Sequence, residues 1–261
     1  MRDWFLLGWL GRVGGGICFV FLTGVGVAEE VLFRAYLPSR ETGELLVVEA
    51  LEEGEGLELR MEERVELGFA GSTIVGHPEE AVLYVTGREG KGKAVLGAEV
   101  RLGEELELAV REVHCSYAFL KVDEGRRFLL GANYREGKVD VYALGEDGSW
   151  GERVFGLDEG RKTAHCVMTT RDNRFVYVPY VKGENALYQY AFDGERGRLR
   201  ALEPKDAGPP EGTGPRHLVV HPRLPFLYAS NEQGLGVSVY RIGEEGQLEL
   251  EEVVEAVEEG R

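Results

Sequence analysis

The chain of 261 residues carries 46 acidic and 30 basic side chains, which gives a formal charge of −16 at pH 7. This balance excludes a nucleic-acid partner, because phosphate backbones are bound by clustered Lys and Arg. The 43% of hydrophobic residues suffice for one large core, and acidic residues placed in outer strands and turns are typical of a solvated face.

The first 28 residues do not share the pattern of the rest of the chain. Arg2 and Arg12 precede or flank the apolar run VGGGICFVFLTGV, and small residues follow up to Ala28. This order predicts a secretory signal peptide over residues 1–28, with an uncleaved membrane anchor or a misassigned start as alternatives. We therefore expect a periplasmic or secreted protein if the signal is used and a cytoplasmic one otherwise, with no integral membrane partner.

A short apolar run recurs along the remaining chain. The steps between successive copies are 49, 46, 47 and 51 residues. The copies are FRAYLP at 33–38, the weakest, then VLYVTG at 82–87, FLLGAN at 128–133, FVYVPY at 175–180 and FLYASN at 226–231.

Each well-formed copy begins after a polar turn and is followed by a third run and by a more charged fourth run. Four short strands in a period of about 40–50 residues are typical of propeller blades. We therefore predict an all-β chain whose residues 29–261 form a partial β-propeller of about five blades. A β-sandwich and a β-solenoid are the alternatives.

Cysteine is sparse outside the signal, with only Cys115 and Cys166. Two cysteines do not make a disulfide framework. The dipeptides His114-Cys115 and His165-Cys166 suggest a zinc site, but neighbouring residues of a strand point to opposite faces, so each dipeptide offers one ligand. We predict no metal.

Candidate site residues emerge when the units are aligned on their second strands. His165 and Arg216 each lie ten positions before the start of that strand, and Glu232 follows its end in the last unit. If the first two strands are antiparallel neighbours, Arg216 and Glu232 share one edge, where they can bind and polarise an anionic or ester-like substrate. We predict His165, Arg216 and Glu232 as catalytic and, from the same edge, four substrate-binding residues: Asn133, Tyr134, Tyr180 and Asn231.

Each of these assignments has a structural alternative. His165 is also explained as a core histidine between blades, and Glu232 as the partner of Arg216 in a structural salt bridge. His217 and His221 are interpreted as strand and turn residues without a chemical role.

Two long segments resemble a known family. AHCVMTTRDNRFVYVPYVKGENALYQYAFD at 164–193 and GTGPRHLVVHPRLPFLYASNEQGLGVSVY at 212–240 are similar to the lactonase family of seven-bladed propellers, which includes propeller-type 6-phosphogluconolactonases and carboxymuconate lactonizing enzymes. The GPRH and NE elements at this spacing carry the resemblance most specifically. It extends over about residues 110–245 and is faint over 31–100.

The resemblance implies a carboxylic-ester hydrolase that opens a lactone ring, or closes it in reverse, at one end of the central channel. It implies a His, an Arg and a Glu at that end, which match His165, Arg216 and Glu232, and no metal or organic cofactor. The family has two further blades and a second active-site arginine beyond the fifth unit, so we expect a C-terminally truncated propeller.

Two functions remain open from the sequence. In the first, Arg216 binds the lactone carbonyl or an acidic group, Glu232 acts as general base on water, and His165 protonates the leaving ring oxygen of a small-molecule lactone or sugar acid. In the second, the chain is a non-catalytic binding or interaction module. Either form is expected to self-associate if its propeller edges are open.

Overall fold

The computed structural model describes residues 9–13, 16–20, 31–53, 56–89 and 94–256. The chain divides into two compact units, residues 1–116 and 117–261. The predicted signal segment lies largely outside the described residues, which there form the paired strands β1 (Trp9–Val13) and β2 (Gly16–Val20). In the described part of the chain, no helix has the length and apolar character needed to span a membrane.

The first unit contains a three-stranded and a four-stranded antiparallel sheet, each with its strands in sequence order. The core holds Tyr36, Leu45, Leu83 and Val100, and the last strand of each sheet is largely exposed. The strands are β3 (Val31–Pro38), β4 (Glu44–Glu53), β5 (Gly56–Glu66), β6 (Ala70–Gly76), β7 (Val82–Arg88), β8 (Val95–Leu102) and β9 (Leu106–Glu112).

The second unit contains three four-stranded antiparallel sheets, again in sequence order. The first comprises β10 (Phe119–Val122), β11 (Phe128–Ala132), β12 (Val139–Leu144) and β13 (Trp150–Leu157). The second comprises β14 (Met168–Thr169), β15 (Phe175–Tyr180), β16 (Ala186–Asp193) and β17 (Arg198–Asp206). The third comprises β18 (Pro215–Val220), β19 (Phe226–Asn231), β20 (Gly236–Ile242) and β21 (Leu248–Glu255).

The predicted fold class is confirmed, because sequential four-stranded antiparallel sheets are the blade unit of a propeller. The runs FVYVPY and FLYASN coincide with β15 and β19, and the weak copy FRAYLP lies within β3. All six residues of β15 are buried, as expected for a strand covered on both faces, whereas β21 is exposed beyond Leu248. Burial of an aromatic or branched side chain contributes about 1.5–3 kcal/mol, so the central strands dominate the stability.

Polar contacts between neighbouring sheets fix their relative positions in the second unit. Asn173 Nδ2 donates to Asp123 Oδ2 at 2.7 Å, and the Glu124 N–H donates to Asn173 Oδ1 at 3.1 Å. The buried Tyr177 hydroxyl donates to the Gly246 carbonyl at 2.8 Å. These contacts tie each sheet to the next, so that side chains from the strand ends of different sheets hold defined positions.

Candidate functional site

Two neighbouring sheets of the second unit place the start of an inner strand beside the end of the next strand. Ala164 bridges to Tyr180 just before β14, and Pro215 pairs with Asn231 at the start of β18. The residues that follow Ala164 and Pro215 therefore stand at the same edge of both sheets, as the alignment of the repeats predicts.

The three predicted catalytic side chains are in contact at this edge. Arg216 Nε donates to His165 Nε2 at 3.0 Å, and Arg216 Nη1 lies 2.9 Å from Glu232 Oε2. His165 is 5% exposed, whereas the Arg216 and Glu232 side chains are 30% and 29% exposed. One guanidinium thus joins a buried imidazole to a half-buried carboxylate that solvent can reach.

Hydrogen bonding and burial define the protonation state of His165. A guanidinium only donates, so the Nε2 atom that accepts from it carries no proton and Nδ1 is assigned the hydrogen. Burial first, and then the positive charge of Arg216 and the neighbouring His217, lower the pKa of His165 to about 3. The imidazole is therefore neutral at pH 7.

His217, which the sequence analysis left without a role, lies against the same imidazole. The two rings are nearly perpendicular with centroids 4.7 Å apart, and the Phe119 ring lies 6.1 Å from His217. Burial, followed by the charge of Arg216, lowers the pKa of His217 to about 4. His165 Nδ1 and His217 Nε2 are buried without a hydrogen-bond partner among the described residues. Unpaired buried polar atoms are rare in folded proteins, and a catalytic or binding role is one of the explanations for them.

A β-bulge explains how Arg216 and His217 both reach His165. Adjacent residues of a regular strand point to opposite faces, but the register between β18 and β19 shifts between Pro215 and Leu218. The His217 N–H donates to Ser230 Oγ at 3.1 Å instead of to the ladder. Bulges of this kind redirect side chains and are common next to active sites.

Tyr134 and Lys182 complete the edge. The Tyr134 ring lies 5.6 Å from the His165 ring and nearly perpendicular to it, and Lys182 Nζ lies 5.6 Å from the Tyr134 centroid. The predicted position of Tyr134 beside the other site residues agrees with this geometry, whereas Lys182 was missed.

The backbone around Lys182 is held in unfavourable conformations. Lys182 has φ +59° and Thr163 has φ +68°, which is the left-handed region that side chains with a Cβ avoid. Thr163 Oγ1 donates to the Val181 carbonyl at 2.6 Å, and the Lys182 N–H donates to Gln233 Oε1 at 3.1 Å. Strain that the surroundings maintain in this way clusters at binding and catalytic sites.

The loop before β18 is anchored to the loop after β15. Asn185 Oδ1 accepts from the Gly214 N–H at 2.7 Å, and Asn185 Nδ2 donates to the Pro210 carbonyl at 3.0 Å. Gly214 has φ +59°, and a Cβ there would lie 1.6 Å from Gln233 Oε1. Glycine is therefore needed for the turn that presents Arg216.

The other three predicted binding residues are buried, with polar atoms engaged by the protein. Asn133 Oδ1 accepts from the Glu136 N–H at 2.6 Å, the Tyr180 hydroxyl donates to the Gly137 carbonyl at 3.3 Å, and Asn231 exchanges hydrogen bonds with Ser238 at 3.0 and 3.2 Å. These contacts shape the strand ends, and a role in binding substrate stays a prediction for Asn133, Tyr180 and Asn231.

The two neighbours in the His165-Cys166 dipeptide point in opposite directions, as predicted. Cys166 is fully buried in the apolar core with Leu218, and burial raises the pKa of its thiol to about 12. The dipeptide therefore offers one side chain to the site. The expectation of one ligand is wrong for His114-Cys115, which lies in a bend instead of a strand, because a ligand atom of each residue lies within 4.8 Å of the other. No disulfide joins Cys115 and Cys166.

A groove of about 460 Å³ opens at the other end of the β14–β17 and β18–β21 sheets. Arg171, Arg174 and Arg223 line it together with Asp172 and Glu244, and Arg174 contacts Asp172 at 3.8 Å. None of the predicted site residues lines this groove, so we place the chemistry at the edge where His165, Arg216 and Glu232 meet.

Comparison with known proteins gives relatives of named activity. The chain is 32% identical over 160 residues to the 6-phosphogluconolactonase of Pectobacterium carotovorum subsp. carotovorum strain PC1, covering 60% of this chain and 47% of that protein. It is 35% identical over 124 residues to the 6-phosphogluconolactonase of Klebsiella pneumoniae strain 342, covering 47% and 36%. The chain thus spans about half the length of these relatives or less.

Solved structures share the fold. The periplasmic gluconolactonase PpgL of Pseudomonas aeruginosa aligns with a TM-score of 0.70 at 21% identity, over 92% of this chain and 69% of that one. Sqt1 of Chaetomium thermophilum, bound to the N-terminus of the ribosomal protein L10, aligns with a TM-score of 0.61 at 11% identity, over 92% and 68%. These likenesses establish the architecture, which carries unrelated functions.

The family model described as "Lactonase, 7-bladed beta-propeller" matches residues 39–261. This range includes the β14–β21 sheets and every residue of the site at their edge. The chain therefore belongs to the seven-bladed β-propeller lactonase family.

Proposed function

We propose that the protein is a hydrolase that opens a sugar-acid or related lactone. The observation that carries the proposal is the arginine that is hydrogen-bonded to a neutral, buried His165 and paired with Glu232. The names of the Pectobacterium and Klebsiella relatives support this reaction. An ester carbonyl needs a cation for its developing charge and a base for water, and Arg216 and Glu232 supply the two.

Arg216 binds the lactone carbonyl oxygen and stabilises the negative charge that develops on it as water attacks. Glu232 takes a proton from that water. Its Oε2 atom faces Arg216 at 2.9 Å, and Oε1 has no hydrogen-bond partner among the described residues. The ring C–O bond then breaks, and the protonated Glu232 returns its proton to the departing ring oxygen, giving the hydroxy acid.

His165 holds Arg216 in this scheme. His165 was expected to protonate the leaving oxygen, but an imidazole with a pKa of about 3 is neutral at pH 7 and lacks the second proton. As a hydrogen-bond acceptor from Nε it fixes the plane of the guanidinium. We therefore assign proton transfer to Glu232 and positioning of Arg216 to His165.

Because the pKa values of His165 and His217 are depressed, we predict that acidification below pH 6.5 lowers the free energy of unfolding without a matching change in the rate of lactone hydrolysis. Both histidines stay neutral in the folded state down to about pH 4 and become protonated on unfolding below pH 6.5. The stability that they contribute is present above pH 6.5 and is lost as the pH falls, at up to about 1.4 kcal/mol per pH unit for each histidine. Urea unfolding at pH 7 and pH 5 measures this loss in the wild type and in H165N/H217N.

We expect the lactonase rate between pH 5 and 7 to show no step from histidine protonation. A histidine that titrates near pH 6.5 in the folded protein, detected by NMR, would contradict the assignment.

The test of the reaction is a pH-stat measurement of acid release. Glucono-δ-lactone, 6-phosphoglucono-δ-lactone and an aromatic-acid lactone are compared, with spontaneous hydrolysis subtracted. We expect saturable hydrolysis of at least one of the sugar-acid lactones. A rate equal to the spontaneous rate for every lactone would refute the hydrolase assignment and favour the binding module.

Export is a further part of the proposal. It rests on the pattern of residues 1–28, which we propose as a signal peptide ahead of the propeller domain at 29–261, and on the likeness to the periplasmic gluconolactonase of Pseudomonas aeruginosa. Mass spectrometry of the protein from a periplasmic extract tests it, since cleavage after Ala28 leaves an N-terminal Glu29. A full-length chain found only in the cytoplasm would refute it.

A further inference from the structure

Lys182 is a cation at the site that no carboxylate of the described residues neutralises at ion-pair distance. Arg216 has Glu232 at 2.9 Å, and His165 and His217 are neutral at pH 7. The main electrostatic partner of Lys182 is Tyr134, whose ring centroid lies 5.6 Å from Nζ, and the attraction of Glu232 and the repulsion of Arg216 act more weakly. The site as a whole therefore carries one positive charge more than it compensates.

The position of this ammonium is held by the backbone. Lys182 opens the 3-10 turn Lys182–Glu184 with φ +59°, although the next residue is Gly183, which tolerates that conformation better. The Lys182 N–H is bound by Gln233 Oε1 at 3.1 Å, and Gln233 directly follows Glu232. The side chain is exposed, so a ligand can reach its ammonium beside the Tyr134 ring.

The surroundings of Lys182 favour an anion. The chain as a whole is acidic, with a formal charge of −16, and most of its surface repels anions. A site with one excess positive charge is a local exception, and it attracts a negatively charged group selectively. Glu232 directly precedes Gln233, whose side chain binds the Lys182 N–H at 3.1 Å, so Lys182 is a second cation beside a lactone held on Arg216.

We propose that Lys182 is a specificity-determining residue, which binds an anionic substituent, phosphate or carboxylate, on the lactone held by Arg216. This inference deepens the proposed function and rests on it. It adds a second anchor to the site and explains why a lysine occupies a backbone conformation that suits glycine.

Calorimetry with the product acids tests the assignment without turnover. Gluconate, 6-phosphogluconate and glucarate differ only in the group at C6, which is a hydroxyl, a phosphate or a carboxylate. We expect the wild type to bind 6-phosphogluconate, and to a smaller extent glucarate, about tenfold or more tightly than gluconate, as for one charge-assisted contact. K182M should abolish this preference and K182R should retain it.

Two variants separate binding from structure. K182G relieves the left-handed strain while removing the ammonium, so it should melt at or above the wild-type temperature yet lose the preference. K205M is the matched control, because Lys205 also lies over a tyrosine ring, at 4.7 Å from the Tyr188 centroid, but is neutralised by Glu159 at 2.6 Å. K205M should bind all three acids like the wild type.

Three results would overturn the assignment of Lys182: a wild type without preference among the acids, including one that binds none; a K182M variant that keeps the preference; or a KM for 6-phosphoglucono-δ-lactone that K182M leaves unchanged. A wild type that shows the preference but opens no lactone would refute the hydrolase function and leave the anion site standing. The third result, in a chain that hydrolyses lactones, would refute Lys182 alone.

Discussion

Replacement of Arg216 by alanine is expected to lower kcat/KM for the hydrolysed lactone by roughly 10²–10³-fold, the effect of removing one donor that stabilises a developing oxyanion. The guanidinium also orients the carboxylate that activates water, because it bridges His165 and Glu232. The loss should therefore fall on kcat as well as on KM. Initial rates in the pH-stat measure both.

An arginine on the same sheet provides the control for R216A. The exposed side chains of Arg241 on β20 and Glu251 on β21 form an ion pair, far along the sheet from Arg216, so R241A removes an arginine–glutamate pair without touching the site. R241A should keep wild-type kcat/KM, since exposed ion pairs contribute only about 0–1 kcal/mol to stability. Activity of R216A within about threefold of R241A would contradict the role of Arg216.

Conversion of Glu232 to glutamine is expected to reduce kcat by roughly 10²–10⁴-fold, the usual contribution of a general base. Glutamine keeps the shape of the side chain and an oxygen that can accept from Arg216, so the substitution removes the base and leaves the neighbouring guanidinium in place. KM should change little. Single-turnover rates of E232Q against the wild type give the comparison.

The matched variant for this test is E251Q, which alters the carboxylate that Arg241 contacts. E251Q should hydrolyse lactones as the wild type does, with a melting temperature within a few degrees of it. The general-base assignment fails if E232Q retains wild-type kcat while R216A is inactive, because Glu232 would then only hold the arginine.

Much of the fold was predictable because the repeat is long and each copy is separated by polar turns. The repeat period predicted one sheet for each copy, and the apolar runs FVYVPY and FLYASN correspond to β15 and β19 residue for residue. The weak copy at 33–38 is the first strand of a sheet with three described strands. Self-association through open propeller edges stays a prediction.

The site was predictable as far as strand alternation and repeat alignment reach. His165 and Arg216 each lie ten residues before the second strand of their repeat, and this shared offset predicted that they lie at the same edge. The reason is that equivalent strands of consecutive sheets present equivalent positions. His217 was missed because a bulge, which depends on the partner strand, turns it toward the same side as Arg216. Lys182 was missed because its position depends on a left-handed turn fixed by Gln233.

The protonation state of His165 could not be predicted from the sequence. A histidine is an acid or a neutral acceptor according to its burial, and the depressed pKa of His165 comes first from burial among segments distant in the chain. The acid role expected for His165 assumed an imidazole open to water. His165 is only 5% exposed, and we therefore propose that it positions Arg216.

The most direct measurement is the ¹⁵N NMR spectrum of the His165 imidazole at pH 7 during addition of 6-phosphogluconate. If lactones react where the guanidinium meets this ring, Nε2 is unprotonated, Nδ1 carries the hydrogen, and both resonances move saturably in the wild type but stay still in R216A. An imidazole that is doubly protonated at pH 7 would contradict the assigned protonation state of His165. Resonances that do not respond while calorimetry shows binding would contradict the placement of the lactone site beside His165 and Arg216.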